Sequence, residues 1–86
     1  MPYISPTDRK QFEELVKTVS LTKIETAGEL NYLITRLVHS FLKQDNESYQ
    51  AYNDALGALE GAKLELYRRH IASYEDKKIS ENGDVP

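Results

Sequence analysis

The sequence has no cysteine and no long apolar run. None of its 86 residues is cysteine, which excludes disulfides, thiolate metal ligands and thiol nucleophiles. A chain this short that lacks disulfides is more typical of the cytosol than of an oxidising compartment. No uncharged stretch approaches the roughly 18 apolar residues of a membrane span, and the first residues lack the basic and apolar regions of a signal peptide. We therefore expect a cytoplasmic protein with no membrane contact.

Charge and length narrow the possible partners and the number of domains. The chain carries 11 Lys and Arg against 14 Asp and Glu, a net charge of -3 at pH 7. Nucleic acids and anionic membranes are captured by basic surfaces, so this charge disfavours both. A chain of 86 residues rarely supports a second hydrophobic core. We expect a single domain over residues 1–86.

Capping signals predict the starts of two helices. Ser5 can cap free amides, and the proline that follows it suits the first helical position, which predicts a helix over 6–19. Thr26 and Glu29 have the spacing of a capping box, in which each side chain accepts from the other's backbone amide. This box predicts a second helix over 27–43.

The longest helix is predicted in the second half of the chain. Ser48 or Asn46 can cap a helix over 48–74, in which apolar residues recur at intervals near 3.6. At 1.5 Å per residue it would be about 40 Å long, whereas a compact domain of this size is about 30 Å across. The helix must then extend past its own domain or break. Gly83 follows an asparagine and is a stop signal, and we interpret 75–86 as a tail.

The second helix carries more apolar residues than one neighbouring helix can cover. Such a helix is typical of the centre of a bundle, covered on most sides. The fold class predicted is therefore all-α: a three-helix bundle with a long C-terminal helix, completed by homo-oligomerisation to a dimer or higher. The apolar residues of the second helix are Leu30, Leu33, Ile34, Leu37, Val38, Phe41 and Leu42.

Two glycines in the third helix suggest where chains meet. Gly57 and Gly61 lie four residues apart on one helix face, and each costs about 0.8–1 kcal/mol relative to alanine. Close approach of another helix backbone would offset that cost, and a kink without a partner is the alternative. With Leu33 and Leu37, they are the candidate residues of an oligomer interface.

Two polar groups are candidates for binding a small anion. Tyr32, Arg36 and His39 form a polar line on the second helix, where arginine offers a forked donor for carboxylate or phosphate. The alternative is a solvated helix edge. Positive charge also collects near the end of the third helix, with intrahelical pairing to Glu65 as the alternative. The candidates in this second group are Tyr67, Arg68, Arg69 and Lys77.

The motifs of several enzyme classes are missing. No Glu-x-x-His occurs, so the carboxylate-bridged metal sites of helical bundles lack their usual spacing. His39 and His70 lie on different predicted helices and have no carboxylate spaced to chelate with them, which disfavours zinc. There is no glycine-rich phosphate loop. We predict no catalysis, no metal and no cofactor.

Four stretches of the chain carry a resemblance to a known family. They resemble a family of uncharacterised proteins of similar length, which occurs in bacteria and their phages, and the match spans nearly the whole chain. The resemblance implies that residues 75–85 belong to the folded or functional unit. The stretches are Met1-Pro2-Tyr3-Ile4, Gly28-Glu29-Leu30-Asn31-Tyr32-x-Ile34-Thr35, Glu65-Leu66-Tyr67-Arg68-Arg69 and Tyr74 to Val85.

Two functions agree with these patterns. The first is a non-enzymatic helical interaction protein that associates with copies of itself through the second and third helices. The second is an oligomeric binder of a small anionic ligand. For a phage protein, this could be a sponge for a nucleotide second messenger of host defence.

Overall fold

A computed structural model describes residues 2–44 and 47–86 of the chain, and this part is α-helical without any strand. The all-α class predicted from the sequence is confirmed, with three helical stretches of which the last is the longest. The elements are α1 (Pro6–Arg9), a 3₁₀ turn (Lys10–Phe12), α2 (Glu13–Leu21), α3 (Ala27–Gln44), α4 (Tyr49–Leu66), a π-helical segment (Tyr67–Ile71) and α5 (Ala72–Asn82).

The first helical stretch begins as predicted and ends later. The Ser5 side chain accepts a hydrogen bond from the amide of Asp8 at 3.2 Å. The helix is interrupted by the 3₁₀ turn, whose last residue, Phe12, has φ -104° and ψ 1°. It then continues past the predicted end at residue 19. The Thr22 hydroxyl donates to the carbonyl of Thr18 at 2.6 Å, which satisfies a carbonyl of the last turn.

The capping box before α3 is confirmed in both directions. The amide of Glu29 donates to Thr26 Oγ1 at 3.0 Å, and the amide of Thr26 donates to Glu29 Oε1 at 3.3 Å. The amide of Glu25 donates to the same carboxylate oxygen at 2.7 Å. The helix predicted over 27–43 spans Ala27–Gln44.

The last stretch is longer than predicted. Ser48 caps α4 by accepting from the amide of Ala51 at 3.1 Å, while Asn46 lies outside the described residues. The interpretation of 75–86 as a tail is wrong for its first part, because α5 continues to Asn82. The helix then ends at the predicted glycine. Gly83 has φ +86°, and its amide donates to the carbonyl of Ile79 at 2.8 Å.

A π-helical segment separates α4 from α5. At its end, the amide of Ala72 donates to the carbonyl of Tyr67, five residues earlier. The Tyr67 hydroxyl also donates to Glu75 Oε1 at 2.6 Å, which ties the π turn to α5. The helical stretch predicted over 48–74 therefore changes its hydrogen-bond pattern after Leu66 and continues without a chain break.

The chain divides into two compact units. One is Tyr3–Ala55, and the other contains Leu56–Pro86. Among the described residues, only Ala55 is buried, at 8% exposure. On α3, by contrast, Leu30, Leu33, Ile34, Leu37 and Phe41 are each between 36% and 57% exposed. The three-helix bundle, the single domain and the completion of the core by a second copy stay predictions.

Candidate interaction surface

A groove between α2 and α3 lies in the unit Tyr3–Ala55 and is lined mainly by apolar side chains. Its volume is about 480 Å³, and we call it the α2–α3 groove. Leu15 and Val19 of α2 lie one turn apart on one side, and Ile24 lies in the connection between the helices. The other side belongs to α3, and its lining residues are Leu30, Tyr32, Leu33, Ile34, Arg36, Leu37 and Ser40.

The spacing of the groove residues explains why they share a face. Leu30, Leu33 and Leu37 are three and four residues apart, so they lie on one side of an α-helix. Grooves with this lining are where proteins receive an amphipathic helix, read at every third or fourth residue. Both predicted interface leucines, Leu33 and Leu37, lie in the groove and are exposed.

A cation lies at the edge of this groove. Arg36 Nη1 donates to the Tyr32 hydroxyl at 3.0 Å, and the guanidinium carbon is 5.9 Å from the centre of the Tyr32 ring. In the part of the chain that the structure describes, Arg36 has no carboxylate within ion-pair distance. The structure brings two of the three predicted polar residues together. His39 forms no hydrogen bond or ion pair to a described residue.

The second predicted group is organised around one carboxylate. Glu65 Oε1 lies 3.2 Å from Arg68 Nη2 and 2.8 Å from Arg69 Nε, because residues three and four apart share a helix face. The Glu65 side chain is 25% exposed, while those of both arginines are mostly exposed. The positive charge of this group is therefore partly neutralised within the chain, as the alternative interpretation expected.

Tyr67 belongs to an acidic surface. Its hydrogen bond to Glu75 raises its pKa above the ordinary value of 10.0, and the negative charges of Glu75 and Asp76 act in the same direction. A cavity of about 530 Å³ adjoins these residues and is also lined by Asp84. Tyr67 thus faces carboxylates, which are poor surroundings for an anion.

Two neighbouring lysines of α5 differ in their position relative to this cavity. Lys77 is exposed and does not line this cavity, whereas Lys78 does. Lys78 Nζ lies 5.5 Å from the centre of the Tyr74 ring and 3.3 Å from Glu81 Oε2. Lys78 belongs to the same positively charged stretch of the sequence but was not chosen as a candidate, although its spacing of four and three residues from Tyr74 and Glu81 was the available signal.

The glycines of α4 have different surroundings. A Cβ atom built on Gly57 would meet no described atom within 4 Å, so its own unit does not explain the glycine. Gly61 is half-buried. The role of both residues in an interface between copies stays a prediction.

Neither a metal centre nor a membrane-spanning segment is found in the described residues. No group of three His, Asp or Glu side chains there is arranged to hold a metal ion. None of the helices within 2–44 and 47–86 is long and apolar enough to cross a membrane.

Comparison with known proteins agrees with the resemblance seen in the sequence. No curated protein and no solved structure matches the chain. A family model, Domain of unknown function (DUF6899), matches residues 1–85. The match includes the helical residues 75–82 and the stop at Gly83. The chain therefore belongs to the DUF6899 family.

Proposed function

We propose that this protein is a non-enzymatic helical interaction protein that functions as a homo-oligomer, a dimer or higher. The observation that carries the proposal is the exposed apolar face of α3, with five large side chains between 36% and 57% exposed. Apolar patches of this kind on a soluble protein mark interaction sites. Leu33 and Leu37 form the centre of the proposed contact, and Gly57 and Gly61 of α4 allow close approach of a second copy.

The polar residues support binding rather than catalysis. Tyr32 and Arg36 bond to each other, and Arg68 and Arg69 share Glu65. Neither group combines a nucleophile with a base that could activate it. We assign the protein no reaction and no cofactor, and we place it in the cytoplasm of a bacterial or phage-infected cell.

One observation favours a second candidate, a binder of a small anionic ligand. Arg36 has no carboxylate partner among the described residues and is held against Tyr32, so its remaining N–H donors can meet a phosphate or carboxylate. A nucleotide second messenger would fit, with its base stacked on an aromatic ring, and sequestering it would serve a phage against host defence. Arg68 and Arg69 support this candidate less, since Glu65 already engages both.

Two measurements test these functions. Size-exclusion chromatography with light scattering, from low micromolar concentration upwards, should give a mass of at least twice the chain mass. A monomer at every concentration would refute the interaction function. A thermal-shift screen against nucleotides and cyclic dinucleotides tests the second candidate. Ligand at a hundredfold excess over its Kd adds about 2.7 kcal/mol, and the same ligand should have no effect on the Arg36→Ala variant.

A further inference from the structure

We propose that the α2–α3 groove is filled by the same groove of a second copy, with the two α3 helices antiparallel about a two-fold axis. This inference rests on the proposed function and specifies its geometry. Two α2–α3 pairs would then form a four-helix core, in which each groove supplies the cover that the other lacks. An isologous contact of this kind uses one surface twice and closes at the dimer.

The apolar residues of the groove suit such a pairing. Leu30 and Leu37 are seven residues apart with Leu33 between them, which is the spacing of a helix-packing seam. Leu15 and Val19 widen this seam on the α2 side and are about half exposed. A second copy thus meets a continuous apolar surface on both helices, with Ser40 as the polar residue of the seam one turn beyond Leu37.

Charges along the edge of α3 determine the direction of the second copy. Glu29 and Arg36 are also seven residues apart, so they lie on the same edge of the apolar face. Glu29 Oε1 accepts from two backbone amides, and Oε2 is available for a further contact. Arg36 has no carboxylate partner among the described residues. When Leu30 packs against Leu37 of the second copy, Leu33 lies beside the two-fold axis and Glu29 of each chain faces Arg36 of the other.

A parallel arrangement of the two α3 helices is disfavoured by the same residues. In a parallel pairing, the edge with Glu29 and Arg36 would meet the other edge of the seam, which carries Ile34 and Phe41. Arg36 would then lie beside apolar side chains and lose its carboxylate, at a desolvation cost. The charges at the edge of the groove are therefore complementary only when the helices are antiparallel.

The absence of cysteine makes a cross-linking test direct. Leu30→Cys and Leu37→Cys variants, one of them with a mass tag, are mixed and oxidised. We expect the mixed disulfide dimer to form at least tenfold faster than the disulfide dimer of either variant alone. Leu64→Cys is the matched control, since Leu64 has an exposure similar to that of the groove leucines but lies on α4.

The outcomes separate this inference from the proposed function. If the wild-type chain is a dimer in light scattering but the mixed disulfide forms no faster than the Leu64→Cys dimer, the groove pairing is wrong and self-association stands. Faster cross-linking of both Leu30→Cys and Leu37→Cys, each with itself, would indicate parallel helices and overturn the proposed direction. A wild-type monomer would refute both.

A charge reversal tests the edge contact without cysteine. Arg36→Glu places two acidic residues opposite each other at both ends of the dimer and should raise the dimer Kd about fivefold or more. Lys77→Glu makes the same charge change on α5 and should leave the Kd unchanged. Equal effects of the two variants would show that net charge, and no contact of Arg36, controls association.

Discussion

Leu37→Ala is the substitution that tests the interaction surface most directly. Leu37 lies in the α2–α3 groove and is 57% exposed in the single chain. Complete burial of a leucine side chain is worth about 1.5–3 kcal/mol, so its exposed part could contribute roughly 0.9–1.7 kcal/mol on association. A two-fold dimer contains the residue twice. The variant should therefore weaken the dimer by about 1.7–3.4 kcal/mol, a 15- to 300-fold increase in Kd.

Leu64→Ala is a closely matched control for this measurement. Leu64 is also 57% exposed and also lies within a helix, but it belongs to α4 and not to the groove. Both substitutions change helix propensity by the same small amount. Sedimentation equilibrium over a range of concentrations gives the two Kd values. A Kd for Leu37→Ala within twofold of that for Leu64→Ala would refute the assignment of the groove as the contact.

Three further predictions concern the folded chain itself. Gly83→Ala should cost about 1–3 kcal/mol in urea unfolding, because φ +86° with ψ 155° is a conformation available almost only to glycine. Thr26→Ala should lower the free energy of unfolding by about 1 kcal/mol, because it removes the hydroxyl that accepts from the Glu29 amide. Thr26→Ser keeps a hydroxyl at this position and should lose much less. The raised pKa of Tyr67 stabilises the folded state below its ordinary value of 10.0, and this contribution is lost as pH rises through the higher folded value. Absorbance titration of tyrosinate should therefore lose one of its more alkaline steps in Tyr67→Phe, and a melting temperature with the same alkaline decline in both proteins would contradict the assignment.

Helix ends could be predicted because their signals are local. Ser5, Thr26 and Ser48 each accept from an amide three residues later, and that spacing is visible in the sequence. Gly83 ends α5 through its own backbone conformation. The start of α3 and the class of the fold depend on such signals. Both could therefore be predicted correctly without knowledge of tertiary contacts.

The π-helical segment could not be predicted in the same way. Its side-chain bond joins Tyr67 to Glu75, eight residues apart, beyond the spacings at which helical side chains are usually paired. The sequence indicated only that so long a helix must break or extend past its domain. The π segment keeps the chain helical, so most of the residues that the sequence analysis interpreted as a tail belong to α5.

The candidate site was predictable in part for a similar reason. The contact of Arg36 with Tyr32 follows from a spacing of four residues on α3. The convergence of Arg68 and Arg69 on Glu65 follows from the same rule and was foreseen as an alternative. The groove itself depends on how α2 and α3 are placed within their unit, and no periodicity along one helix contains that information.

Exposure of the α3 leucines also bears on how the protein folds. Helices of this length are marginal in isolation, and in proteins most of their stability comes from packing of an apolar face. On α3 that face is largely exposed, so the capping box and helix propensity alone leave α3 close to its limit of stability. Under the proposed function, the second copy supplies the missing packing. Folding of α3 and association are then one equilibrium, and thermal stability should depend on protein concentration, as it does for obligate dimers.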